Sequence, residues 1–269
     1  GIPLIGLLGG FRVMKGHAVA LEAAARLTAA GRNMHVALVG GGALDLTIRA
    51  LRVRLGLAER VSIVDGFVDP AEAVCIPLAY LTAYQMLTRY RRLPRGATIL
   101  VIGASGTVGT ALLDLARHLG LKAIGTCSAT NVAMVERFGA TAIDYRAGDF
   151  VAAVRELTAG RKGGVGVDAA FDAIGGAHFA RSFACLAPGG LLIGYGAQTM
   201  AVGGAGLASA ALGLARLKLW DVLSGLFGGR HAVFYTITTR RAAHPEDFKA
   251  DMATLFDLLH KRAINPVVI

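Results

Sequence analysis

The chain has 269 residues, 54% of them hydrophobic and 17% charged, with a formal net charge of +10. That length suffices for a sizeable core in one or two domains. The basic residues are scattered without interleaved aromatics, which argues against a nucleic-acid partner. Seven His and three Cys form no C-x-x-C, H-E-x-x-H or H-x-H motif, so neither a disulfide framework nor a zinc lobe is indicated, and no metal is expected. An odd, dispersed set of cysteines fits a reducing cytoplasm.

Residues 1–10 carry no charged leader pattern and read as a strand cut from something longer, not as a signal peptide. Pro3–Leu8, His35–Val39 and Val61–Val64 have strand character, and His17–Ala30 and Leu44–Leu55 have helix character. Such alternation specifies parallel strands joined by crossover helices. Gly40-Gly41-Gly42 falls between a strand and a helix, where an anion could rest on the helix N-terminus. Arg12 and Lys15 flank the turn before the first helix. At Asp69-Pro70 the sequence changes character, and the residue before a proline favours extended geometry. The boundary is drawn there, giving parts 1–70 and 71–269.

Beyond it, Glu72 to Arg91 reads as a helix that Pro77 interrupts near its start, closed by the turn Leu93-Pro94-Arg95-Gly96. The stretch Thr98 to Gly109 organises the remainder: a short apolar strand, a glycine turn, then an apolar-striped helix ending at Gly120. Ala104-Ser105-Gly106-Thr107-Val108-Gly109 has the A-x-G-x-x-G spacing of a dinucleotide-binding turn. Gly106 leaves the backbone open to a pyrophosphate, and Gly109 lets the helix lie close to the strand. Val101-Ile102, Ala123-Ile124, Ala169-Ala170-Phe171 and Leu191-Leu192-Ile193 are apolar without alternation, as in strands covered on both faces. Helices are predicted at Val108–Leu119, Val132–Phe138, Phe150–Leu157, Phe179–Leu186 and Glu246–Leu259, the last with Phe248, Met252, Leu255, Phe256 and Leu259 on one face. The span from Ser182 to Ala215 carries no charge, but its Pro188-Gly189-Gly190 and later glycines break it into a strand and a Gly/Ala-rich helix. A membrane span is therefore not expected. The fold class is α/β: a Rossmann-like doubly wound parallel sheet, preceded by a partial second Rossmann-like βαβαβ unit.

The larger part resembles the zinc-free, quinone-oxidoreductase-like branch of the medium-chain dehydrogenase/reductase family. The resemblance rests on Leu81–Leu87, the Ala104–Gly109 turn, Leu119–Thr126, Phe138-Gly139-Ala140 with Ile143-Asp144-Tyr145, Gly166–Gly176, Leu186–Gly190 running to Gly196, and Ala232–Tyr235. It spans residues 75–269. It implies an NADP-dependent oxidoreductase that transfers hydride from NADPH to an activated C=C bond or a quinone, with a small-molecule substrate. By the same resemblance Thr82 lies near the nicotinamide amide, Gly175, Gly194 and Tyr195 near the ribose and pyrophosphate, and Phe234 and Tyr235 beside the nicotinamide. Residues 1–70 resemble the donor-binding half of a retaining two-domain glycosyltransferase, on Arg12–His17, Val39–Gly42 and Leu55–Val61. In such enzymes the Arg and Lys bind a sugar-nucleotide diphosphate. The carboxylate segment and acceptor domain of that family do not follow.

No acid stands at the end of the second strand, in Gly125-Thr126-Cys127-Ser128-Ala129-Thr130-Asn131, so a 2′-phosphate meets no like charge. Ser128 and Asn131 can hydrogen-bond it, and Tyr145 matches a family tyrosine beside it. NADPH is therefore expected over NADH, although a basic residue usual in this loop is missing. No catalytic acid is assigned; Tyr84 is the nearest by type. Two other readings stand beside the reductase: a glycosyltransferase fragment, and a non-catalytic nucleotide-binding or dimerisation module using the Gly/Ala-rich helix after Gly203, which would form a homodimer.

Overall fold

The computed structural model describes residues 3–64, 69–196, 212–213, 215–223 and 229–267. Contacts divide the chain into two units, Gly1–Pro77 with His244–Ile269, and Leu78–Ala243.

The smaller unit holds β1 (Leu4–Leu8), α1 (His17–Ala29), β2 (His35–Val39), α2 (Asp45–Arg54), β3 (Val61–Val64) and α3 (Pro70–Val74). The three strands pair in the order β1-β2-β3, all parallel. This is the expected βαβαβ unit, with strand bounds within a residue of those read from the sequence. Its core gathers Phe11, Leu21, Met34, Val36, Leu38, Ile48, Leu51, Leu57 and Val61. The two glycine turns interlock: Phe11 N–H donates to the Gly41 carbonyl at 3.0 Å, and a Cβ at Gly40 would stand 2.1 Å from the Gly9 carbonyl. Arg12 and Lys15 are exposed beside these turns. Asp69 is not a free junction residue. Its carboxylate accepts from Ala71 N–H at 2.8 Å and caps α3, with Pro70 at the first turn.

The predicted helix from Glu72 to Arg91 is broken at Pro77. A π-turn over Ile76–Tyr80 separates α3 from α4 (Leu81–Thr88). Proline has no N–H to give, and the ladder accommodates it with a wider turn. The units part at this proline, seven residues beyond the junction read from the sequence.

The larger unit continues with β4 (Thr98–Ile102), α5 (Thr107–Leu119), β5 (Lys122–Cys127), α6 (Val132–Glu136), β6 (Thr141–Asp144), α7 (Phe150–Leu157), β7 (Val167–Asp172), α8 (His178–Ala184), β8 (Leu186–Gly194), α9 (215–223), β9 (His231–Phe234) and α10 (Ile237–Ala243). Its six strands are all parallel in the order β6-β5-β4-β7-β8-β9. Numbered within the unit, this is 3-2-1-4-5-6, the Rossmann order with its reversal beside the first strand. All five residues of β4 are buried, which explains the unbroken apolar run from Ile99 to Ile102. Leu100, Ile102, Ile124, Phe150, Val154, Ala170, Phe179, Leu192 and Ala232 form the core. The one acid inside α5, Asp114, is buried but accepts from Tyr80 Oη at 2.8 Å and from Arg117 at 2.7 Å. Gly120 ends α5 in the left-handed conformation, φ 70°.

The last helix, α11 (Pro245–His260), buries Met252, Leu255, Phe256 and Leu259 of the predicted face, with Phe248 half-buried, and it packs against β3. It thus counts with the smaller unit, whereas the sequence reading kept it with the larger part. Arg262 ties it to α3 through both carboxylate oxygens of Glu72, at 2.8 and 2.6 Å. The Gly/Ala-rich stretch after Gly203 falls largely outside the described residues. No helix among the described residues is long and apolar enough to cross a membrane.

Candidate functional site

Because every strand of the larger unit runs the same way, all the turns that leave its C-terminal edge lie side by side. The turns after β4, β5, β6, β7 and β8 carry most of the residues singled out from the sequence. β5 and β7 flank β4 on opposite sides, so this edge is the switch point at which doubly wound sheets bind their ligands.

The turn after β4 is built as the glycine spacing requires. Gly103 turns the chain at φ 75°, and Gly106 N–H donates back to its carbonyl at 3.0 Å. Gly106 is exposed and is the N-cap of α5, with no side chain capping the helix. The N–H groups of Thr107, Val108 and Gly109 open the first turn, where an α-helix offers no internal acceptor. With the helix dipole behind them they form an anion cradle. A Cβ at Gly109 would stand 2.3 Å from the Gly103 carbonyl oxygen, so only glycine allows the helix to sit this close. Ala104, in the place of the fingerprint's first glycine, is fully buried. Its methyl is accommodated by Gly125 of β5, where a Cβ would come within 2.7 Å of it. The loss of one glycine is compensated by another on the neighbouring strand.

The loop after β5 is tied to this turn. Asn131 Nδ2 donates to Ser105 Oγ at 3.1 Å and to Ser128 Oγ at 3.3 Å, and Gly103 N–H donates to Thr126 Oγ1 at 3.2 Å. Ser105, Ser128 and Asn131 are thus brought together as one polar cluster. Cys127, buried at the strand end, has its thiol pushed up by burial and by Asp144 and Glu136. Tyr145 leaves β6 beside it, with its N–H donating to the Cys127 carbonyl at 3.2 Å and its ring half exposed.

On the other side of the switch, Asp172 ends β7 and is fully buried. One carboxylate oxygen accepts from the Ile174 and Gly175 N–H groups at 2.8 and 3.1 Å. The other faces His178 Nδ1 at 2.9 Å and accepts from Ser182 Oγ at 2.6 Å. Burial pushes this carboxyl up, but the bonds from His178, Ser182 and Gly175 outweigh it and hold it below the usual carboxylate range. The His178 ring stacks on Phe150 at 5.2 Å. The Asp172 carbonyl also accepts from Tyr195 N–H at 3.0 Å, so one residue fixes the turns after both β7 and β8. This network escaped the sequence reading. Its signal was a His and a Ser one helical turn apart, following an acid at a strand end.

Gly175 adopts φ 84° and so needs to be glycine. Gly194 has a packing reason of its own, since a Cβ there would lie 2.6 Å from the Phe179 ring. Burial, with Asp172 nearby, pushes the Tyr195 phenol up. Phe234 ends β9 half-buried, while Tyr235 is fully buried with its hydroxyl donating to Gln85 Oε1 at 2.9 Å. Thr82 is buried one turn before Gln85 in α4. Thr82 and Tyr235 thus belong to the packed interior at α4, whereas Phe234 is paired with Gly194 and packs against the core of the sheet. Among the described residues no three His, Cys, Asp or Glu side chains gather as a metal cage.

Residues 107–241 match the zinc-binding dehydrogenase family. A synaptic vesicle membrane protein VAT-1 homolog from Danio rerio is 35% identical over 134 residues, 49% of this chain and 27% of that protein. A 2-haloacrylate reductase from Burkholderia sp is 35% identical over 130 residues, 48% of this chain and 38% of that protein. Among solved structures, Escherichia coli quinone oxidoreductase complexed with NADPH superposes with a TM-score of 0.57 at 25% identity, covering 71% of this chain and 54% of that one. The match thus spans well under half of those curated relatives and about half of that solved chain. The glycosyltransferase resemblance of residues 1–70 finds no support among these relatives.

Proposed function

Since the chain belongs to the zinc-binding dehydrogenase family, within the medium-chain dehydrogenases/reductases, we propose that its larger unit is the coenzyme half of an NADPH-dependent reductase. The reaction is hydride transfer to an activated C=C bond or a quinone, in a small-molecule substrate. The observation that carries this reading is the exposed, uncapped N-terminus of α5 at the switch point of a 3-2-1-4-5-6 sheet. A pyrophosphate suits it because three backbone donors, a helix dipole and a side-chain-free Gly106 converge there.

When bound, the dihydronicotinamide supplies the hydride. The protein's part is orientation. Thr107, Val108 and Gly109 hold the pyrophosphate through their N–H groups, and Ser128 and Asn131 receive the adenosine ribose. Asp172 braces the turns at 173–176 and 194–196, which form the nicotinamide side of the crevice. Holding the two reactants in register is worth much of the barrier in such reactions. The absence of an acid in 125–131 favours NADPH over NADH, as does the NADPH complex of the bacterial quinone oxidoreductase. Three free cysteines, two of them buried, suit the reducing cytoplasm.

Calorimetric titration of the purified chain tests the reading. NADPH is expected to bind with a Kd of roughly micromolar order, and NADH more weakly. A chain that binds neither coenzyme overturns it.

A further inference from the structure

The loop after β5 presents hydroxyls and an amide but no cation for a 2′-phosphate, and we infer that Arg146, reaching in from the neighbouring strand, supplies it. This rests on the coenzyme reading above and names the residue that sets its selectivity. In a Rossmann fold the 2′ substituent of the adenosine ribose lies against the end of the second strand, and a nearby Arg accommodates the phosphate. Here the second strand is β5, and β6 is its outer partner, with Cys127 paired to Asp144. The next residue, Tyr145, is still bonded to β5 through the Cys127 carbonyl. Arg146 therefore follows the end of β6 on the same edge of the sheet at which Ser128 follows β5, and the Ser128 hydroxyl is already oriented by Asn131 at 3.3 Å.

Three further features fit the assignment. Arg146 is exposed, and its guanidinium lies over the Tyr145 ring, 5.6 Å from the centroid. Stacking holds the planar fork while leaving its N–H edge for a bidentate phosphate contact. Asp144, the acid nearest in sequence, is turned back to cap the Arg146 N–H at 3.0 Å, so no carboxylate pairs with the guanidinium among the described residues. Cys127 carries no charge at neutral pH, because its thiol is buried.

The test is a calorimetric titration of NADPH and NADH into the whole chain, its Arg146→Gln and Arg146→Lys variants, and a Lys122→Gln control. Lys122 removes the same charge at the opposite end of β5. Arg146→Gln should weaken NADPH about 10- to 100-fold, the worth of a charge-assisted contact, and leave NADH within about twofold. Arg146→Lys should retain most of the preference. If both coenzymes bind and Arg146→Gln alters the NADPH/NADH ratio no more than Lys122→Gln does, Arg146 is not the selecting residue, while the coenzyme site stands. If neither coenzyme binds the unaltered chain, the site itself is lost and this inference with it.

Discussion

Replacing Gly106 by Asp separates the fold from the site, because the two should respond in opposite directions. Gly106 is the N-cap of α5 at φ −79° and ψ 169°, a conformation that any residue adopts. A Cβ there would meet only the Gly103 carbonyl oxygen, at 3.3 Å. Asp is a preferred N-cap residue, a few tenths of a kcal/mol better than Gly, and its charge at a helix N-terminus adds about 0.3–1 kcal/mol. The close carbonyl takes back part of this gain. The melting temperature should accordingly stay within about 2 °C of the unaltered chain, or rise. The same carboxylate would occupy the N–H groups that a pyrophosphate needs and would repel its charge. Losing two charge-assisted hydrogen bonds, each about 1.5–3 kcal/mol, weakens binding by roughly a hundredfold or more. Differential scanning fluorimetry and NADPH fluorescence read the two effects on one sample. If Gly106→Asp binds NADPH within about threefold of the original chain, the anion does not sit on α5. If it melts many degrees lower, the account of the cap is wrong.

Three other outcomes follow from the packing and the titrating groups. Gly125→Ala would set its methyl 2.7 Å from Ala104 Cβ and 2.9 Å from Val135 Cγ1, a strain of about 1–3 kcal/mol. Adding Ala104→Gly should recover the part of that loss owed to the Ala104 methyl and leave the Val135 contact, and a double variant no more stable than Gly125→Ala in urea unfolding would refute the compensation. Asp172→Asn should cost about 2–4 kcal/mol, since one amide oxygen cannot replace a carboxylate that accepts on both oxygens. The folded carboxyl sits below its ordinary value, so its contribution is complete above the unfolded pKa of about 3.9 and fades as pH falls through the folded value. The stability gap between the two chains should therefore narrow below about pH 4, and a gap that widens there would reverse the sign of the argument. Among the cysteines, Cys185 is buried with its thiol pushed up to about 12, Cys127 is buried and also raised, and Cys75 is raised by burial and Glu72 but partly exposed. At pH 8 a thiol reagent should label only Cys75, slowly, in the folded chain, and all three in denaturant; rapid labelling of two would contradict the burial.

Much of the architecture was legible because it depends on local signals. Residues 99–102 are apolar without alternation, bounded by turn signals, as in a strand covered on both faces. Phe150–Leu157 was delimited to the residue, since Asp149 supplies an N-cap and the apolar positions repeat at helical spacing. What stayed hidden depends on distant partners. The face of α11 was plain, but the sheet it covers lies some 180 residues back in the chain, at β3. Tyr235 could be read only as an aromatic near the nicotinamide; that its hydroxyl belongs to Gln85, 150 residues away, needed the fold. Gly194 shows the same difficulty in reverse: the resemblance sets it beside the ribose, while the structure gives it a packing reason, since the Phe179 ring leaves no room for a Cβ.

A buried acid at the switch point of a site proposed to hold an anion calls for a physical reason. An ionised Asp172 close to a pyrophosphate would repel it if its oxygens faced the crevice. Four donors already saturate them: Ile174 and Gly175 N–H on one oxygen, His178 and Ser182 on the other. A carboxylate can only accept, so His178 presents Nδ1 with its proton. The negative charge is thereby spent inward, on the turn after β7 and on α8. Meanwhile the Asp172 carbonyl holds Tyr195 N–H from the turn after β8. A neutral amide in its place would repel an anion less, but it would lose the second accepting oxygen and with it half of the bracing. The acid is thus explained by bracing: it fixes one wall of the crevice while the glycine turn across from it supplies the positive one.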